Sequence, residues 1–181
     1  CDLEHSAEIL KQALIAGIRS AGTDVIDFGE NFLAQFRFSM VFCSSRLGVF
    51  LQGGSRASIR VLGAGGIHVP PETERQIESP LKSGAVIRRP YDAMGALPPM
   101  TGTDSLYRSH IVRYAPDGLN GVAAQVHCRN HGIQSTLKQV LSRLGRDVTE
   151  GPRLEIACQG ERLRLYDEHW GYLSPQRIAT W

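Results

Sequence analysis

Apolar positions recur along this chain in two rhythms, and the switch between them divides it into elements. From Ser6 to Ala21, residues Ile9, Leu10, Ala13, Leu14, Ala16, Gly17 and Ile18 fall on one broad helical face, with Ser6 placed to cap the start and Gly22 just past the end. Val25-Ile26-Asp27-Phe28 then reads as a short strand closed by Gly29. Helix, tight turn and strand in this order form the returning half of a βαβ unit whose first strand would lie before Cys1. Phe32, Leu33, Phe36 and Met40 give helical spacing to Phe32 through Phe42. Leu47 to Leu51 predicts a buried strand running into Gln52-Gly53-Gly54-Ser55-Arg56, and Ser58 to Leu62 a second one leading into Gly63-Ala64-Gly65-Gly66. Pro70-Pro71-Glu72-Thr73-Glu74 opens a helix, with proline in its first turn and acids near its positive end.

Between Gly84 and Gly102 the periodicity weakens and Pro90, Gly95, Pro98 and Pro99 accumulate, the composition of a linker. Beyond it, Leu106, Tyr107, His110, Ile111 and Tyr114 line a helix over Asp104 to Tyr114, and Val122 to Cys128 is a strand. Ser135 to Leu144 is a helix ended by Gly145, and Asp147-Val148 starts a further strand, which makes a second βαβ unit. Arg153 to Cys158 and Leu163 to Tyr166 alternate as the arms of a hairpin, and Ser174-Pro175 starts a last helix through Trp181.

Composition narrows the function classes. With 181 residues, 42% of them apolar, the chain can bury a core, and Lys+Arg 20 against Asp+Glu 18 leaves no charged run of the kind that marks nucleic-acid or membrane-surface binding. Its apolar runs fall far short of the roughly 20 residues that span a bilayer. Four scattered cysteines and an opening without a signal-peptide pattern point to a reducing cytoplasm, while Cys1 in place of an initiator Met suggests a processed or incomplete N-terminus.

Few residues carry obvious chemistry. In Gly53-Gly54-Ser55-Arg56-Ala57-Ser58, glycine backbone N–H groups beside Ser55, Ser58, Arg56 and Arg60 offer an anion a seat, against the plainer reading of a glycine-rich surface turn. His127, Cys128, His131 and Cys158 are metal-ligating types, but neighbours on a strand face opposite ways and no C-x-x-C pair is present, so a buried cysteine and turn histidines are expected. Phe32, Phe36, Phe38 and Phe42 are expected in the core rather than in a partner-binding stripe, with Phe38 off the pattern. In the loop of the last hairpin, Gln159-Gly160-Glu161-Arg162, only Glu161 is acidic, and one carboxylate is a poor cage for a hard dication.

The order of these pieces resembles the α-D-phosphohexomutase family, the phosphomannomutases and phosphoglucomutases. The likeness begins at Asp2-Leu3-Glu4-His5-Ser6-Ala7-Glu8 and continues through Ala13 to Ile18 and Ala21 to Gly29. It returns at Gly63-Ala64-Gly65-Gly66 with Glu74 to Glu78, at Gln125 to Gly132 with Leu141 to Gly145, and at Glu161 to Glu168 with Gly171 to Pro175. In that family a serine in a Thr-Ala-Ser-His-Asn-Pro loop carries the transferred phosphate, a position that falls on Gly54 or, shifted by one, on Ser55 without the His-Asn-Pro that should follow. The family's Asp-Gly-Asp-Ala-Asp-Arg magnesium loop, laid back from Arg162, falls on Ala157, Gln159 and Glu161, and Glu4 stands in place of an early arginine. The sugar-recognition loop and the phosphate-binding fourth domain have no counterpart before Trp181.

The resemblance therefore implies an α/β protein of two phosphohexomutase-like βαβ sandwich units with a fragment of a third. The expected divisions are a first domain over 1–84, a linker over 85–102, a second domain over 103–151 and a third-domain fragment over 152–181. The expected function is non-catalytic, a pseudoenzyme that binds, scaffolds or regulates in polysaccharide or nucleotide-sugar metabolism. It would have no cofactor and would partner itself or another protein through sheet edge left uncovered. The alternatives are an active, magnesium-using mutase interconverting hexose 1- and 6-phosphates, and a sugar-phosphate or anion sensor.

Overall fold

The structure, a computed structural model, describes residues 1, 5–53, 56–85, 87–114, 123–128, 131–144, 153–159, 162–167, 171–174 and 176. The chain is α/β and divides into two units, Cys1–Thr103 and Asp104–Trp181, each described by itself.

In the first unit, helix α1 spans His5–Ser20 and helix α2 spans Leu33–Phe42, with Phe32 as its extended N-terminal neighbour. Strands β1 (Leu47–Gln52) and β2 (Ser58–Gly63) pair antiparallel, from Leu47↔Gly63 to Gln52↔Ser58. Because strand side chains alternate, β1 feeds two cores. Phe50 joins Leu33, Phe36, Met40 and Leu62 on the α2 side, and Leu51 joins Cys1 and Ala7, with Leu14 and Val49, on the α1 side. Ser6 lies inside α1 rather than capping it, and Gly22, at φ +86°, follows the helix in the left-handed region. Residues 23–29 belong to no strand, which corrects the strand expected at Val25–Phe28. A short apolar run is not sufficient, because a strand also needs a neighbour to bond with.

The stretch expected as a linker folds back onto the end of α1. Arg89 donates its N–H to the Ser20 carbonyl (2.8 Å), Gly95 donates to the Arg19 carbonyl (2.9 Å), and Val25 donates to the Ala96 carbonyl (3.0 Å). Before it, helix α3 (Pro71–Ser83) begins with Pro71 in its first turn, carries Glu72 and Glu74 there, and ends at Gly84 in the left-handed conformation.

A charged cluster ties α1 to the segment that follows it. Lys11 Nζ lies 2.7 Å from Glu8 Oε2 and 3.1 Å from Asp27 Oδ2. Chiefly through the hydrogen bond from Lys11, the Glu8 carboxyl sits below its ordinary value of 4.5. Burial works against the charge on Lys11, yet its hydrogen bonds to Glu8 and Asp27 outweigh that and lift it above 10.5. The Glu8 contribution to stability is thus complete above pH 4.5 and lost as pH falls through the lowered folded value. That of Lys11 is complete below pH 10.5 and lost as pH rises through the raised one. Lys11→Met is expected to cost about 1–2 kcal/mol near neutrality, and urea titrations should show the difference from the parent shrinking towards both pH extremes.

In the second unit, helix α4 (Thr103–Tyr114) is followed by strand β3 (Ala123–Cys128), helix α5 (His131–Arg143) and strands β4 (Arg153–Gln159), β5 (Arg162–Asp167) and β6 (Gly171–Leu173). The sheet order is β3-β4-β5-β6. β3 runs parallel to β4 across the α5 connection, and the remaining pairs are antiparallel. Ile133, Thr136 and Val140 form a buried stripe of α5, with helical spacing, and Val126 is buried on β3. The strand expected at Asp147-Val148 lies outside the described residues, as does nearly all of the helix expected after Ser174. Among the described residues no helix is long and apolar enough to cross a membrane.

Candidate functional site

The two turns that hold the candidate chemistry lie in separate units. In the first, β1 and β2 present the turn after Gln52, and Gly54 and Ser55 lie outside the described residues. Arg56 and Ser58 are exposed, Ser58 standing opposite Gln52 in the ladder. Arg60 Nη2 donates to Gln52 Oε1 at 3.0 Å, so one of the two nearby cations is bound across the hairpin while Arg56 reaches solvent.

In the second unit, β4 and β5 place Gln159 directly opposite Arg162 and Ala157 opposite Arg164, and Glu161 lies outside the described residues. This donor set does not fit a magnesium ion. Alanine offers no side-chain oxygen and Gln159 no charge, where a hard dication needs several oxygen ligands. Among the described residues there is no group of three or more His, Cys, Asp or Glu able to hold a metal.

His127 is exposed on β3, and its neighbour Cys128, half-buried, points from the other face. Cys128 is disulfide-bonded, which corrects the expectation of a plain buried thiol and removes it as a thiolate ligand. Its register partner is Cys158, a coincidence of two strands that spacing in sequence does not reveal. His131 is exposed at the start of α5. Phe36 is buried as expected, but Phe42 is 54% exposed and stacks on Phe38 at 6.1 Å between ring centroids, so the core expectation for Phe42 is corrected. The chain leaves α2 one residue later, at Cys43, and in the last turn Met40 takes the core side while Phe42 does not.

No profile of a known protein family matches the chain. It is similar, however, to bacterial phosphoglucosamine mutases. The protein from Rhodococcus opacus is 30% identical over 139 residues, 74% of this chain and 31% of that protein. The one from Salinispora arenicola is 26% identical over 174 residues, 92% of this chain and 38% of that protein. The one from Thermobifida fusca is 29% identical over 151 residues, 81% of this chain and 33% of that protein. The chain is a distant relative of the phosphohexomutases. More particularly, its named relatives are phosphoglucosamine mutases, of whose length it spans about a third, between 31% and 38%.

Proposed function

We propose that this chain is a non-catalytic phosphohexomutase-like protein, acting by binding, scaffolding or regulation in the carbohydrate metabolism that its relatives' name implies. The observation that supports this most is the β4–β5 turn, where the positions that the resemblance gives to metal-binding aspartates hold Ala157 and Gln159 facing Arg164 and Arg162. Phosphoryl transfer between sugar oxygens needs a nucleophile, a cation over the developing charge and donors for the phosphate. In this reading the second requirement is missing. No magnesium is used, the fold corresponds to two βαβ sandwich units with a fragment of a third, and the protein is partnered by itself or another chain.

The test pairs intact-mass analysis for a phosphoserine with a coupled mutase assay on hexose and hexosamine 1-phosphates in magnesium. Expected are an unphosphorylated mass and turnover at the level of buffer. Turnover above buffer that Ser55→Ala abolishes would instead establish an active mutase. The exposure of Arg56 and Ser58 at the glycine turn favours a second reading, an anion or sugar-phosphate sensor. It requires hexose 6-phosphate to raise the melting temperature of the parent and not of Arg56→Ala.

A further inference from the structure

Cys128 ends β3, and its sulfur is joined in a disulfide. The chain has four cysteines, of which Cys1 and Cys43 are free, and that leaves Cys158. The backbone leads to the same residue by another route. In the β3–β4 ladder Cys128 stands opposite Cys158 on the last rung of six. Register partners on adjacent strands share a face, and a strand spacing of about 4.8 Å lies inside the roughly 4.4–6.8 Å between Cα atoms that a disulfide spans. Among the described residues β3 is an edge of its sheet, and on the face where Val126 is buried Cys128, two residues on, is only half-buried. The rungs before the last hold the two strands in register, so a pair of thiols at their end would stay side by side.

We propose that Cys128 and Cys158 form a reversible thiol–disulfide exchange site, a clamp across β3 and β4 that a dithiol reductant opens and an oxidised dithiol closes. In opening, a thiolate of the reductant attacks one sulfur of the pair, giving a mixed disulfide and one protein thiol. The second thiol of the reductant then displaces the other protein sulfur. The protein gains two electrons and two protons, and the reductant leaves as a cyclic disulfide. Closing runs the same exchange in reverse. The free cysteines compete poorly for the site. Both belong to the first unit, and burial raises the Cys43 thiol above its ordinary value, leaving less of the reactive thiolate. When closed, the bond bounds a loop of about 30 residues that contains α5, and so restricts the unfolded chain. It also ties β4 to β3 one residue before Gln159, where the chain turns towards Arg162. When it is open, the bond from Gln134 Nε2 to the Val126 carbonyl at 3.1 Å still holds α5 to β3, so the unit loosens without coming apart.

The test titrates the full chain with dithiothreitol in the absence of denaturant, then with oxidised dithiothreitol. Intact mass should rise by two hydrogen atoms on reduction, and peptide mapping of the oxidised chain should join the segment holding Cys128 to the one holding Cys158. Trp170 and Trp181 are the chain's two tryptophans and both belong to the second unit, so their fluorescence reads its melting. The oxidised form should melt roughly 10–20 °C above the reduced one. Reduction should also speed amide exchange at residues 126–128 and 156–158 by about tenfold or more. The oxidised dithiol should restore both the mass and the melting temperature. Cys158→Ser should melt with the reduced parent and ignore the reductant, whereas Cys43→Ser should respond as the parent does. Should Cys158→Ser fail to fold, the two forms of the parent carry the comparison alone. A mass unchanged by reductant, equal melting of the two forms, or a linkage to Cys1 or Cys43 overturns the proposal. So does a bond that dithiothreitol opens only in urea, because such a bond is a fixed staple.

Discussion

Replacing Phe50 by alanine is expected to lower the stability of the first unit by about 3–5 kcal/mol, the range for a buried aromatic whose site cannot collapse. Phe50 is 1% exposed and its ring centroid lies 5.3 Å from that of Phe36, which in turn meets Phe28 edge-on at 5.7 Å. Met40 and Leu62 around it are fully buried, so the lining is already in close contact. Refilling the hole would require α2 to shift against β1. Phe50→Leu keeps most of the volume and should cost about 1.5 kcal/mol or less. Urea titration followed by far-ultraviolet circular dichroism measures both. A loss below about 1 kcal/mol for the alanine variant would mean that this cluster is not the core of the unit.

Gly95→Ala is expected to be nearly as damaging, about 2–3 kcal/mol. The residue lies in the stretch whose composition reads as linker, yet it is buried and fixed from two directions. Its N–H donates to the Arg19 carbonyl at 2.9 Å, and its own carbonyl accepts from Arg19 Nε at 2.9 Å. A Cβ here would run into the backbone carbonyl of Thr23 and stand 2.9 Å from the Asp24 nitrogen. Backbone cannot swing aside as a side chain can, so the segment must lift away, taking with it the bond from the Ala96 N–H to Asp24 Oδ1 at 2.7 Å. Gly48→Ala is the informative comparison, because its Cβ would meet the flexible thioether end of Met40 instead. If Gly95→Ala proves no worse than Gly48→Ala, the close approach is not what holds the stretch in place.

Much of the fold is legible because its elements carry local signals. The boundaries expected for α2, β1, β2 and the β4–β5 hairpin agree with the structure to within a residue or two, since each has its own period and its own turn or cap. Pairing is less legible. Nothing local in Ala123–Cys128 announces that it will run beside Arg153–Gln159, because a parallel ladder joins segments with a helix between them. For the same reason Val25 through Phe28 shows strand chemistry without being a strand. Gly95 is illegible in another way, since a glycine demanded by a neighbouring carbonyl looks in sequence like any loop glycine. The candidate site was readable mainly as a departure. The resemblance supplied the positions, and the residue types Ala157 and Gln159 argued against the metal. What the register added is that Arg162 and Arg164 stand opposite them.

Helix α3 buries none of its 13 residues, and Ile77 and Leu81 are 36% and 66% exposed. What holds it is local: the proline in its first turn, the glycine after its last, and the Glu78–Lys82 pair at 2.6 Å. Away from those signals, a substitution on such a surface usually changes stability by no more than about 0.5 kcal/mol. Among diverging relatives, this helix can therefore exchange most of its side chains while Phe50 and Gly95 stay bound to their neighbours. It is where the first unit has room to acquire a new surface without rebuilding its interior.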